Sequence, residues 1–282
     1  MSDAPFTLDP SQEAAAELIA TAPVGCVTGG PGTGKTTSLR TALDRLGAPV
    51  PVDLSADDPF DAAAQEGDLS AYRANRLPDP QIALCAPTGK AARRMSEATG
   101  RSASTIHRLL GYNGHSFRRD QDDPLDSRLV VVDEASMIDT MLMQALLRAL
   151  RPETRLIMVG DADQLPSVGP GAIFSDLLDS GAVPSRRLTT LHRAAQESWI
   201  CQNGPRFIAG DSIDLAKERD DFQFVEVETA ASAAEAVVDG LAQWDAEHAD
   251  EHGELQVLIP MRKHALGTTA VNAAIHGVLS TR

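Results

Sequence analysis

Four short apolar runs mark the first two-thirds of the chain: Val24–Val27, Ile82–Cys85, Leu129–Val132 and Leu156–Val159. Each is too short for a helix. They read as strands buried on both faces. Between them, apolar residues recur at three- and four-residue spacing, as in Thr36–Leu46 and Met141–Leu150. That spacing predicts amphipathic helices. Strands alternating with helices predict an α/β fold, a parallel sheet covered by helices on both faces. Right-handed crossovers then gather the loops that follow the strands at one edge of the sheet, where ligands bind in such folds.

Residues 48–80 break this rhythm. They hold five prolines and seven acids with little periodicity. They read as a surface insertion between the first helix and the second strand. A second unit is expected from Ser198 onward, with strands at Phe222–Val227 and Leu255–Ile259 and an Ala-rich helix at Ala230–His248. The chain has no internal repeats.

Chemistry enters directly after the first strand. Residues 29–37 read GGPGTGKTT and contain Gly29-x-x-x-x-Gly34-Lys35-Thr36. A strand before this pattern and a helix after it are the context in which it cradles phosphate. Glycine lets the backbone N–H groups of Gly30, Pro31-flanked Gly32, Thr33 and Gly34 crowd an anion. The helix start at Lys35, Thr36 and Thr37 adds partial positive charge. Lys35 is suited to reach the β- and γ-phosphates, and the Thr36 hydroxyl to bind Mg²⁺. ATP and Mg²⁺ are therefore the expected ligands.

Two later strand ends supply acids. Leu129–Val132 runs into Asp133 and Glu134. Asp133 is placed to hold Mg²⁺ with Thr36, and Glu134 to take a proton from attacking water. The next strand runs into Gly160-Asp161-Ala162-Asp163-Gln164. The Gln164 amide both donates and accepts, which suits a group that orients water or senses the γ-phosphate.

The net charge of −15 argues against a polyanionic partner, but its distribution changes the picture. Thr88–Arg119 contains seven basic residues and one acid, a local +6 that leaves −21 on the remainder. A basic patch on an acidic body can bind a nucleic-acid backbone. The apolar content of 43% suits a globular core. No run approaches the roughly 18 apolar residues of a membrane span. The N-terminus has no basic-then-apolar leader pattern. Cys26, Cys85 and Cys201 lie far apart and read as free thiols, so a cytoplasmic location is expected.

In this order the motifs resemble those of superfamily 1 DNA helicases of the RecD type, the exodeoxyribonuclease V α-subunit family. Leu8-Asp9-Pro10-Ser11-Gln12 resembles the adenine-reading Q motif, GGPGTGKTT motif I, and Ala86–Ala92 motif Ia. Thr105–Gly111 resembles the segment that follows motif Ia. Asp133–Ser136 resembles motif II, Gly160–Gly171 motif III, and Leu188–Ser198 motif IV. Gln256–Arg262 resembles the start of the family's second motor domain. The resemblance implies a RecA-like motor domain over 1–197 and the first part of a second over 198–282. It also implies 5′-to-3′ DNA translocation and unwinding in repair or recombination. Gln12 would contact the nucleotide, and Arg193 would reach the γ-phosphate as an arginine finger. Thr88, Lys90, His107 and Arg108 would contact single-stranded DNA. A helicase–nuclease subunit or a separately encoded C-terminal half is the implied protein partner.

The family's motifs V and VI are not in the sequence, which reaches Arg282. An alternative reading is therefore an ATP-gated DNA-binding fragment or regulatory ATPase that does not translocate alone. His248-Ala249-Asp250-Glu251-His252 fits the inverted zinc-protease pattern H-x-x-E-H. No acidic third ligand follows Glu254, so these residues read as a solvated helix end.

Overall fold

The computed structural model describes residues 8–47, 81–190, 198–213, 215, 221–247 and 256–279. The acidic 48–80 segment, Arg193 and the H-x-x-E-H residues lie outside the described residues. The chain divides into two compact units, Met1–Asp211 and Ser212–Arg282.

The first unit is built on β1 (Val24–Gly29), β2 (Ile82–Ala86), β3 (Ala103–Thr105), β4 (Leu129–Val132), β5 (Arg155–Gly160) and β6 (Ser185–Leu188). They form one sheet in the order β3-β2-β4-β5-β1-β6. Every pairing is parallel. All four residues of β4 are buried, as its uninterrupted apolar run requires of a central strand.

The helices are α1 (Pro10–Thr21), α2 (Lys35–Leu46), α3 (Gly89–Thr99), α4 (Ile106–Leu109), α5 (Thr140–Arg148), α6 (Ile173–Ser180) and α7 (Trp199–Ala209). Side chains of a strand alternate between faces, and this splits the core in two. Val27, Leu84, Val131, Ile157 and Val159 face one way and pack with Ile19 of α1, Leu39 and Leu43 of α2, and Met95 of α3. Cys26, Cys85, Val130, Val132 and Met158 face the other and pack with Ile106 of α4, Leu146 of α5 and Phe174 of α6. Each fully buried aliphatic side chain contributes about 1.5–3 kcal/mol.

The mixed α/β, all-parallel expectation is met. β4 occupies its expected residues, β1, β2 and β5 extend theirs by one or two, and α2 begins one residue earlier, at Lys35. Two strands escaped the apolar pattern. β6, with sequence SRRL, is a polar edge strand, and β3 is three residues long.

In the second unit, α8 (Ala230–Glu247) packs against α9 (Thr268–Leu279). The expected strands at Phe222–Val227 and Leu255–Ile259 are not formed among the described residues. A strand is held by its ladder, and no partner strand is present in the described part of this unit. No helix among the described residues is long and apolar enough to cross a membrane.

Candidate nucleotide site at the carboxyl edge of the sheet

The loop between β1 and α2 turns on Gly32 and Gly34, whose φ values are 73° and 88°. Both lie in the left-handed region that favours glycine. Gly34 is also the N-cap of α2, and it brings no side chain to cover the helix start. The N–H groups of Lys35, Thr36 and Thr37 thus begin a helix whose first-turn donors have no intrahelical acceptors. Lys35 is half-buried, and its ammonium donates to the carbonyls of Gly29 and Gly30, the latter at 3.1 Å. Thr33 braces the same loop, its hydroxyl donating to Gly30 O at 2.8 Å. Thr36 and Pro31 are exposed, and Thr37 is half-buried.

Gln12 is fully buried beneath this loop. Its Nε2 donates to Thr33 O at 3.2 Å, and its Oε1 accepts the Asp9 N–H at 3.1 Å. It also closes a capping box on α1, where the Asp9 carboxylate accepts from the N–H groups of Ser11 and Gln12. The amide thus joins the start of α1 to the phosphate loop.

Asp133 and Glu134 follow β4 directly. Asp133 N donates to Cys85 O at 2.9 Å, which continues the β2–β4 pairing one step past the strand. Asp133 Oδ1 accepts the Glu134 N–H at 2.9 Å. Glu134 has φ 52° and ψ 40°, a left-handed conformation that a non-glycine residue adopts at a cost of order 1–3 kcal/mol. Such strain concentrates at sites where a side chain must be aimed.

Burial pushes the Asp133 carboxyl above its ordinary value, against the Glu134 N–H and Lys35, which lower it. Glu134 is raised too, first by burial and then by Asp133, with Asp161 adding and Lys35 and Arg94 opposing. Groups from the ends of β1 and β5 thus bear on the acids that end β4: Lys35 lowers both, and Asp161 raises Glu134. Arg94, on α3, is the charge that motif reading missed. Its signal is the helical spacing that carries it from Lys90 one turn further along the helix.

The β5 end is tied to the phosphate-loop strand. Asp161 is 3% exposed, and its carbonyl accepts the Gln164 N–H at 3.3 Å. Thr28 Oγ1 on β1 accepts the Ala162 N–H at 3.1 Å. Gln164 itself is exposed at the same edge. Neither Thr28 nor Asp161 was singled out from the sequence. Thr28 announces itself only as a hydroxyl inside an apolar strand.

The expected DNA residues lie at the β2 and β3 ends of this edge. Thr88 is the N-cap of α3, its hydroxyl accepting from Ala91 N at 3.2 Å. Lys90 and His107 are exposed, and Arg108 is half-buried. Its N–H donates to the Thr105 hydroxyl, the N-cap of α4. His107, Tyr112 and Phe117 form a ring trio with centroids 5.0–5.6 Å apart. The basic window is less open than its count. Arg101 is buried and donates to Leu43 O and Gly47 O, closing the end of α2. Arg93 pairs with Glu97, and both Arg118 and Arg119 pair with Asp123.

Residues 12–170 match the family model of an AAA domain. The chain is 35% identical over 246 residues to the ATP-dependent RecD2 DNA helicase of Deinococcus radiodurans, a match covering 87% of this chain and 29% of that protein. It is 37% identical over 250 residues to the RecBCD enzyme subunit RecD of Mycobacterium tuberculosis, covering 80% of this chain and 40% of that one. The chain thus spans less than half the length of these curated relatives. Among solved structures, the Pif1 helicase from Candida albicans shares the fold, with a TM-score of 0.50 at 18% identity over 84% of this chain and 55% of that one.

Proposed function

We propose, because this chain belongs to the AAA-domain family and is a RecD-like superfamily 1 relative, that it binds ATP and hydrolyses it in step with single-stranded DNA. The observation that carries this reading is the convergence of Lys35 with Asp133 and Glu134 at one sheet edge, where Lys35 lowers both carboxyls against their burial.

The fit of ATP with Mg²⁺ rests on two features. Lys35 is held by two loop carbonyls that a triphosphate would replace with better acceptors. The Thr36 hydroxyl and Asp133 carboxylate form the oxygen-only donor set that Mg²⁺ prefers. Bound there, the ion would neutralise charge on the β- and γ-phosphates. Gly30 to Thr37 would hold the phosphates through backbone N–H groups and the helix start. Glu134 would accept the proton of the water that attacks the γ-phosphorus as the bond to the bridging oxygen breaks. Gln164 would orient that water. Arg193 would stabilise the charge that develops.

The finer reading is a RecD-type helicase moving 5′ to 3′. In it, 1–197 is the first motor domain and 198–282 the first part of a second. Thr88, Lys90, His107 and Arg108 contact single-stranded DNA. The partner would be a helicase–nuclease subunit or a separate C-terminal half. The test is ATP hydrolysis with and without single-stranded DNA, beside Lys35→Ala. DNA-stimulated turnover that vanishes in the variant is expected. Unchanged turnover in purified Lys35→Ala protein would sink the assignment. An unwinding assay then separates a motor from an ATP-gated DNA clamp, which binds DNA without parting its strands.

A further inference from the structure

The loop that carries Gln164 crosses three strands. Gly160 on β5, Thr28 on β1 and Arg187 on β6 stand in one row of the sheet, since Thr28 is the register partner of both Gly160 and Arg187. The loop leaves Gly160 and is caught over β1 by the Thr28 hydroxyl, which accepts the Ala162 N–H at 3.1 Å. It is caught next over β6, where Arg187 Nη2 donates to both oxygens of Asp163, at 3.1 and 2.9 Å. Gln164 follows immediately.

Beyond Gln164 the chain has little to hold it. Leu165 is 87% exposed and Val168 fully so. The loop is next fixed at Ser167, whose hydroxyl donates to Gly169 O and Gly171 O, and at Pro170, whose carbonyl accepts the Thr140 N–H. The Asp163 side chain is therefore the last side-chain anchor before the Gln164 amide. Its partner sits on the strand that leads within a few residues to Arg193.

We propose that Arg187 is a positioning residue for Gln164, acting through Asp163 and tying the Gln164 loop to the strand that precedes Arg193. The inference rests on the hydrolytic role given to Gln164 above. The pair is solvent-accessible, with side chains 54% and 40% exposed. Exposed pairs add little to global stability. Its role is geometric: a small displacement of a water-orienting group costs far more turnover than binding.

The test is a mutant cycle on DNA-free ATP hydrolysis. Arg187→Ala is expected to lower kcat about tenfold with little change in KM, as loss of alignment alone would. Its melting temperature should match that of the unmodified chain. In a Gln164→Ala background the same substitution should cost nothing further. The reversed pair, Arg187→Asp with Asp163→Arg, should regain turnover over either single change. Arg186→Ala, on the same strand but bonded among the described residues only to Ser185 O, should match the unmodified chain. Arg187→Ala within twofold of the unmodified kcat would overturn the proposal, as would a full extra loss in the Gln164→Ala background. If Gln164→Ala is itself silent while Lys35→Ala abolishes turnover, the role of Gln164 is what fails. If the unmodified chain does not hydrolyse ATP, the functional reading fails and takes this inference with it.

Discussion

The side-chain amide of Gln12 donates to the carbonyl of Thr33 at 3.2 Å, from a position with no solvent exposure. A residue that precedes the phosphate loop by two elements thereby sets that loop's backbone. Gln12→Leu keeps the bulk but strands the Thr33 carbonyl and the Asp9 N–H. We expect a loss of about 1–3 kcal/mol of stability, and weaker binding of ATP and GTP alike, because the phosphate cradle is what moves. Denaturant midpoints and nucleotide titrations check this. A loss confined to ATP would instead mark Gln12 as a reader of the base.

In the roles proposed for them, Asp133 and Glu134 set function against stability. Both carboxyls are raised, so the folded chain binds their protons more tightly than the unfolded chain does. Such a group contributes fully below its ordinary value, 4.5 for Glu134. The contribution is lost as pH rises through the raised folded value. At neutral pH both acids therefore cost stability. Glu134→Gln should raise Tm at pH 7, by about 2–4 °C per kcal/mol recovered, and much less at pH 4. Its turnover should vanish. In the unmodified chain, turnover should fall as pH drops through the raised Glu134 value, because the base must be ionised. A Glu134→Gln protein that melts lower at pH 7 would contradict this account.

Two neighbouring glycines should separate folding from binding. A Cβ on Gly29 would lie 2.7 Å from Thr33 Oγ1 and 2.8 Å from Leu188 O. The second is backbone of the β1–β6 ladder and cannot yield alone. Gly29→Ala is expected to cost about 1–3 kcal/mol through overpacking. A Cβ on Gly30 meets nothing within 4 Å, so Gly30→Ala should fold normally. That methyl would add bulk to the loop proposed to cradle phosphate. Nucleotide affinity should fall in Gly30→Ala with Tm unchanged. Equal melting of the two variants would show that the loop relaxes more than its packing allows.

Where burial is uniform, the sequence could be read almost to the residue. β4 occupies Leu129–Val132 as its apolar run indicates, and the acids that follow it fall at the sheet edge. β6 could not be read in this way, since its SRRL sequence is polar and only the ladder to β1 makes it a strand. The expected strand at Phe222–Val227 failed for the converse reason: it has the pattern but no ladder in the described residues. Arg101 shows the limit of counting charge. It belongs to the basic window, yet its guanidinium is buried against the end of α2. The window also stops one residue before Asp120, Asp122 and Asp123, the last of which pairs with two of its arginines.

These pairings sharpen what DNA binding should depend on. Arg118 and Arg119 already share Asp123, so replacing both with Ala should change affinity for single-stranded DNA little. Lys90 is exposed on the first turn of α3, beside the Thr88 cap. Losing one such phosphate contact should lower the slope of log affinity against log salt by about 0.7. Under the proposed DNA binding, the His107, Tyr112 and Phe117 rings would make a different contribution, a stacking surface indifferent to base identity and weakly dependent on salt. Tyr112 is 37% exposed and makes edge-on contact with His107. Tyr112→Ala should cost about 1–3 kcal/mol of affinity while leaving the salt slope unchanged. Fluorescence titrations of labelled oligonucleotides at several salt concentrations resolve the two contributions. A Tyr112→Ala protein that binds like the unmodified chain would restrict the contact to the phosphate backbone.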